Sequence, residues 1–181
     1  TWYSGMLLGR SIVGIQAGDI TRIIKVLKDD SGVGEIYGIA RKEMAPVMLH
    51  AAIFNPNLTA IALLEPLVSY KSVVMSKSYH SPFISGAVPG QLQAYDLPDL
   101  GAAIAPRSLV ILDPLDGTGN KVKSPATEVD LVFVKRAYQE KMQVRISLFR
   151  VKPAETCCPN RSNNGSDKRM LRELMKGPFF K

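Results

Sequence analysis

The chain has 181 residues, 46% of them hydrophobic and 22% charged, with a net charge of +7. That length and apolar content support one globular domain with a packed core and exclude a mainly disordered chain. No apolar run approaches the roughly eighteen residues that cross a bilayer, and no basic segment followed by a hydrophobic one opens the sequence, so neither a membrane span nor a signal peptide is expected.

In chain order, Asp19 can cap a helix in which Ile20, Ile23, Ile24 and Leu27 recur at i, i+3, i+4 and i+7. That spacing gives one apolar stripe, ending near Asp29 and Asp30. After the turn from Ser31 to Gly34, "EIYGI" is short and β-prone, and "MAPVMLHAAIF" from Met44 is long enough for a buried helix with Pro46 in its first turn. "TAIALLE", from Thr59 to Glu65, is a continuous apolar run of strand length, the pattern of a parallel strand covered on both faces. Residues Ser76 to Tyr95, rich in Ser, Pro, Gly and aromatics, predict an irregular excursion.

A second unit follows. Asp96 caps a short helix through Ala103, "RSLVILD" is a strand, and Asp113 to Ser124 is a glycine-containing loop. "EVDLVFVKRAYQEK" is an amphipathic helix and "MQVRISLF" a last strand. From Lys152 the pattern dissolves into a polar stretch, with a closing helix expected from Asp167 to Lys176. This alternation predicts an α/β fold: a mostly parallel sheet of about four strands flanked by helices, with functional groups at the carboxyl ends of the strands. The chain divides into a domain over 1–150 and a polar basic tail over 151–181.

The positive charge is confined to the end of the chain. From Lys135 onward there are 12 Lys and Arg against 4 Asp and Glu, so everything before is nearly neutral. Without the interleaved aromatics of a single-strand platform, this distribution favours a solvated helix face and tail over nucleic-acid binding. The only cysteines, Cys157 and Cys158, are adjacent, which gives neither a disulfide framework nor the spaced ligands of a zinc site. No metal site and no cofactor are expected.

Two segments carry a family resemblance. "YDLPDLGAAIAPRSLVILDPLDGTGN", from Tyr95 to Asn120, and "EPLVSYKS", ending at Ser72, resemble bacterial acetyl xylan esterase-like proteins of the α/β-hydrolase superfamily. The likeness extends over roughly residues 5–150 and implies a partial α/β-hydrolase fold that holds only the last strands of the family's sheet. Thr1 in place of an initiating Met agrees with a fragment. The missing strands, or another subunit, then become expected partners, because the edge meant to pair with them would be exposed. The resemblance also implies a periplasmic or secreted bacterial setting and an acylated polysaccharide as ligand.

The family's elbow reads G-x-S-x-G, a tight strand-to-helix turn that lifts the nucleophile above the sheet. Laid on this chain the pentad is Gly38, Ile39, Ala40, Arg41 and Lys42, so Ala40 stands at the nucleophile position and offers no attacking atom. By the same resemblance Asp116 is the candidate triad acid and Asp113 the second choice, although either also suits a turn or cap. No histidine follows the last strand. His80, in the excursion, is the better of the two histidines as a site residue; His50, within an apolar helix, reads as a core residue. Arg41, Lys42 and Glu43 crowd the helix start, where backbone amides favour anions; Arg41 and Glu43 are the candidate ligand-binding residues, or else simply a solvated helix end. Two readings follow: a degenerate hydrolase serving as scaffold or carbohydrate-binding accessory, or an active carboxyl ester hydrolase with a displaced nucleophile, Ser69 or Ser72, working with Asp116 and His80.

Overall fold

A computed structural model describes residues 2–30, 33–122, 125–140 and 147–149. Contacts divide the chain after Arg150, and every described residue lies in the first unit. The expected closing helix and both cysteines lie outside the described residues.

Ten elements follow in order: α1 (Trp2–Leu7), α2 (Ile12–Asp29), β1 (Ile36–Arg41), α3 (Met44–Phe54), β2 (Leu58–Leu64), α4 (Tyr70–Met75), α5 (Leu97–Ala103), β3 (Ser108–Leu112), α6 (Pro125–Glu140) and β4 (Ser147–Phe149). The strands form one sheet in the order β1-β2-β3-β4, every neighbour parallel. Each parallel step needs a crossover, and each crossover here contains a helix. The chain is therefore an α/β domain with a parallel sheet flanked by helices. Two short 3-10 helices, Ser81–Gly86 and Gln91–Gln93, punctuate the excursion between α4 and α5. No described helix is long and apolar enough to cross a membrane.

The apolar runs account for the centre of the sheet. All residues of β2 except Thr59 are buried, as the continuous run of its sequence requires. Ile61 and Leu63 of β2 and Leu109 and Ile111 of β3 share one core with Leu49 of α3, Leu97 and Leu100 of α5, and Val134 and Tyr138 of α6. Helix α3 has no polar face because it has no solvent face of any width: Ala45, Val47, Leu49, Ala51 and Ala52 are all buried. On one side Val47 and Ala51 meet Val13 and Ala17 of α2 in a second apolar cluster.

Helix α2 starts seven residues before the expected cap. Ser11 is its N-cap, its Oγ accepting the Gly14 N–H at 2.9 Å, while Asp19 lies on the exposed face and pairs with Arg22 at 2.8 Å. The buried stripe is correspondingly rotated. Val13, Ala17 and Ile24 are buried and Ile20 packs beside them, whereas Ile23 and Leu27 face outward. The i, i+4, i+7, i+11 row from Val13 is the one that meets α3.

Three polar groups fix the frame around the core. Arg107 donates to the carbonyls of Ala52 (2.6 Å), Asn55 (2.9 Å) and Leu58 (3.3 Å), closing the C-terminal end of α3 and the start of β2. Tyr138 of α6 donates to the Arg107 carbonyl at 2.8 Å, so α6 is tied to the start of β3. Asp96 caps α5 in a reciprocal capping box with Asp99 and also accepts the Tyr70 and Lys71 N–H groups at the start of α4.

Candidate functional site

The carboxyl ends of the three long strands are built alike. The residue immediately after each strand has a left-handed backbone: Lys42 (φ 51°), Glu65 (φ 49°) and Asp113 (φ 48°). None of the three is a glycine, and each such position costs on the order of 1–2 kcal/mol of local strain. The ladder explains the shape: Lys42 N–H still donates to the Leu64 carbonyl (2.9 Å), and Glu65 N–H to the Leu112 carbonyl (2.8 Å), before the chain turns out of the sheet. After Lys42 the turn is at once helical, with the Ala45 N–H donating to the Lys42 carbonyl at 3.0 Å.

The strand-to-helix turn thus falls two residues beyond Ala40, the position that the resemblance gives to the nucleophile. Ala40 and Arg41 belong to β1, where Ala40 pairs with Leu63 and Arg41 with Leu64, and the turn is Lys42 and Glu43. The residue at the tip is therefore Lys42. Ala40 is 5% exposed, on the strand face that α3 covers. Gly38 lies on that same face, where a Cβ would meet the Met48 sulfur at 2.8 Å, so a larger residue there would displace the Met48 side chain.

Side chains at these strand ends form a charged rim. Arg41 Nε and its terminal nitrogen lie 2.9 Å from Glu65 Oε2, and Lys42 Nζ lies 3.9 Å from the same oxygen. Lys121 Nζ pairs with Asp113 Oδ2 at 2.9 Å. Among these described residues the rim thus holds three half-exposed cations against two more covered carboxylates, Glu65 and Asp113. Glu43 stands at the start of α3 and makes no side-chain capping bond there.

Beside the rim, the loops after β2 and β3 run together. The Leu115 N–H donates to the Pro66 carbonyl (2.8 Å) and the Val68 N–H to the Leu115 carbonyl (2.9 Å), prolonging the contact of the two strands. Gly117 is the junction. Its N–H donates to Ser72 Oγ at 2.7 Å, and its carbonyl accepts the His80 N–H at 2.9 Å. A Cβ on Gly117 would lie 2.3 Å from the Ser72 carbonyl oxygen, so only glycine fits. The His80 ring is exposed, edge-on to Phe83 (centroids 5.1 Å apart) and against Gly119.

Asp116 is occupied within its own loop. Its Oδ1 accepts the Thr118 N–H (2.9 Å), the Thr118 hydroxyl (2.6 Å) and the Asn120 N–H (3.0 Å). The fold thus brings Ser72, His80 and Asp116 to one loop cluster, yet no hydrogen bond joins any two of their side chains. Ser69 is elsewhere in role: 1% exposed, its Oγ caps α4 by accepting the Ser72 N–H at 3.2 Å. His50 is a core residue. Its Nδ1 lies 2.7 Å from the Pro46 carbonyl and its Nε2 3.0 Å from the Tyr95 hydroxyl, and burial lowers its pKa.

No group of three or more His, Cys, Asp or Glu among the described residues could hold a metal ion. Lys42, expected only as one of the charges at the helix start, stands at the tip of the turn, and Glu65, given no site role by the sequence, is its partner across the rim. Their signal was a charged residue directly after an apolar strand, "ARK" and "LLE", a pattern repeated by "ILD" at Asp113. No protein-family model, no curated protein and no solved structure matches the chain.

Proposed function

We propose that this is a degenerate α/β-hydrolase domain, akin to the acetyl xylan esterase-like proteins, without esterase turnover and acting as a scaffold or carbohydrate-binding accessory. One observation carries the reading. The elbow tip is Lys42, and the alanine two residues earlier is buried in β1, so neither position presents a hydroxyl above the sheet. A rim of guanidinium, ammonium and carboxylate groups is suited to the hydroxyls of an acylated polysaccharide, since each can donate to or accept from a sugar without a full charge being buried. The outer edge of β1, which bonds only to β2 among the described strands, is the proposed seat of a partner strand from another part of the fold or another subunit.

The test pairs turnover with binding. With p-nitrophenyl acetate and acetylated xylan we expect no hydrolysis above the buffer rate, together with saturable xylan binding that weakens at least threefold in Glu65→Gln. Hydrolysis that disappears in Asp116→Ala would overturn the scaffold reading.

A second reading is favoured by the convergence of Ser72 and His80 on Gly117, next to Asp116. In it Ser72 is a displaced nucleophile for ester cleavage. Labelling of Ser72 by a fluorophosphonate would establish it; an unlabelled protein would dismiss it.

A further inference from the structure

The excursion between α4 and α5 ends in a short flap, residues 89–94, which holds the second 3-10 helix. Five of these six residues are exposed, and Gln91 is the buried one. Their hydrogen bonds are local. The Gln91 N–H donates to the Val88 carbonyl (3.2 Å), the Gln93 N–H to the Gly90 carbonyl (3.1 Å), and the Ala94 and Tyr95 N–H groups to the Gln91 carbonyl (2.9 Å each). Among the described residues, no hydrogen bond joins the flap to a residue more than four positions away.

The chain on either side is fastened. The Tyr70 hydroxyl donates to the Gly86 carbonyl, Val88 packs against the apolar cluster of α2 and α3, and the Tyr95 hydroxyl meets His50. Between these anchors Gly90 has φ 74°, a left-handed backbone that glycine adopts without strain, and nothing packs where its Cβ would be. The flap itself is seated through one side chain. Gln91 is 5% exposed, and its Nε2 and Oε1 are both closed to solvent without a hydrogen-bond partner. A carboxamide buried in this way disfavours the seated position, because both atoms recover their bonds to water when the flap lifts.

We infer that residues 89–94 are a flap that lifts about Gly90 while the rest of the domain stays folded, with the buried Gln91 carboxamide as the bias toward opening. Lifting gives up little apolar burial and no long-range hydrogen bond, so it requires far less free energy than unfolding the sheet. It also withdraws Gln91, Leu92 and Gln93 from the wall of a cavity of about 320 Å³ that they share with Tyr70, Val73 and Val74 of α4. The flap thereby controls how much of that apolar surface of α4 meets solvent. The inference does not depend on the hydrolase-like reading of the strand ends.

Amide hydrogen exchange of the 15N-labelled full chain, with and without sub-denaturing urea, tests the flap. Relative to their intrinsic rates, the bonded amides of Gln91, Gln93 and Ala94 should exchange about a hundredfold faster, or more, than those of Ile61 and Leu63 in β2. Urea should accelerate the β2 amides and leave the flap amides unchanged, since lifting exposes little surface. In Gln91→Met, which fills similar space without the unbonded carboxamide, the flap amides should slow about tenfold. Were Gln91 an ordinary packed residue, the same substitution would speed their exchange or leave it as it was. A gap of under about tenfold between flap and β2, a shared urea dependence, or flap exchange in Gln91→Met that is unchanged or faster would each overturn the inference. The two readouts in the native chain decide the matter by themselves if Gln91→Met does not fold.

Discussion

Arg107 does more for this fold than its place at the start of a strand suggests. Its guanidinium reaches three carbonyls, from Ala52, Asn55 and Leu58, at the end of α3 and the beginning of β2. The Ala52 and Asn55 oxygens lie at the C-terminal end of α3, so a cation beside them also meets the negative end of the helix dipole. Burial lowers the Arg107 pKa, but the group remains charged at any ordinary pH. Removing it leaves partly buried acceptors without donors. Arg107→Ala should therefore cost about 3 kcal/mol in urea unfolding, and Arg107→Lys, with one ammonium in place of the fork, should recover less than half of that.

His50 makes a pH-dependent contribution at the same scale. Its Nδ1 faces the Pro46 carbonyl and its Nε2 the Tyr95 hydroxyl, an arrangement suited to the neutral ring with the proton on Nδ1. Desolvation lowers the folded-state pKa below the ordinary value of about 6.5. Between the lowered value and the ordinary one, the unfolded chain binds more protons than the folded chain, so stability rises with pH across that interval. The contribution is complete above about pH 6.5 and is lost as the pH falls through the folded value. Melting temperatures from pH 7.5 down to 5 should decline more steeply for the native chain than for His50→Gln.

At the scale of elements, what was legible in the sequence was whatever depends on neighbours in the chain. The runs of β2 and β3 and the all-apolar α3 announce their burial without any knowledge of the fold. The start of α2 and the position of the elbow were not legible. Both are set across space: α2 is buried through the row that meets Val47 and Ala51, and β1 continues through Arg41 because Leu64 of the next strand holds it there. The rim shows the same limit, since the Arg41 to Glu65 pair spans 24 positions. Asp96 lies on both sides of the line. Its cap on α5 is local and was foreseen, but its bonds to Tyr70 and Lys71 at the start of α4 cross 26 and 25 positions. One carboxylate therefore serves two helix starts, and Asp96→Ala should lose about 2–3 kcal/mol, the sum of two ordinary caps. Asp96→Asn keeps the oxygen equivalent to Oδ1, which serves Tyr70 and Leu97, and should lose about 1 kcal/mol by the same measurement.

Taken whole, the described domain has one side unlike the rest. Strand β1 ends the sheet, and along its other face Ile39 is 42% exposed. Helix α2, which leads into β1, also exposes apolar residues on its outer surface, with Ile15 46%, Ile23 59% and Val26 68% exposed around the Asp19–Arg22 pair. Single exposed apolar residues are ordinary, but an exposed isoleucine on the last strand of a sheet whose outer edge is open marks a surface able to pair. Natural edges are guarded by prolines, bulges or inward charges; here the register shifts between Ile36 and Tyr37, and beyond that irregularity the run from Tyr37 to Ala40 contains no charge and no proline. If the regular part of the edge, from Tyr37 to Ala40, is left open because a partner strand covers it, the isolated chain should associate with itself through the same surface. Sedimentation velocity should then show a concentration-dependent rise in mean mass. Ile39→Lys, which adds a charge at an already exposed position, should abolish that rise and shift the urea midpoint by less than the equivalent of about 0.5 kcal/mol. An unchanged mass distribution in Ile39→Lys would mean that association, where present, uses another surface, and β1 would no longer be the seat of the partner.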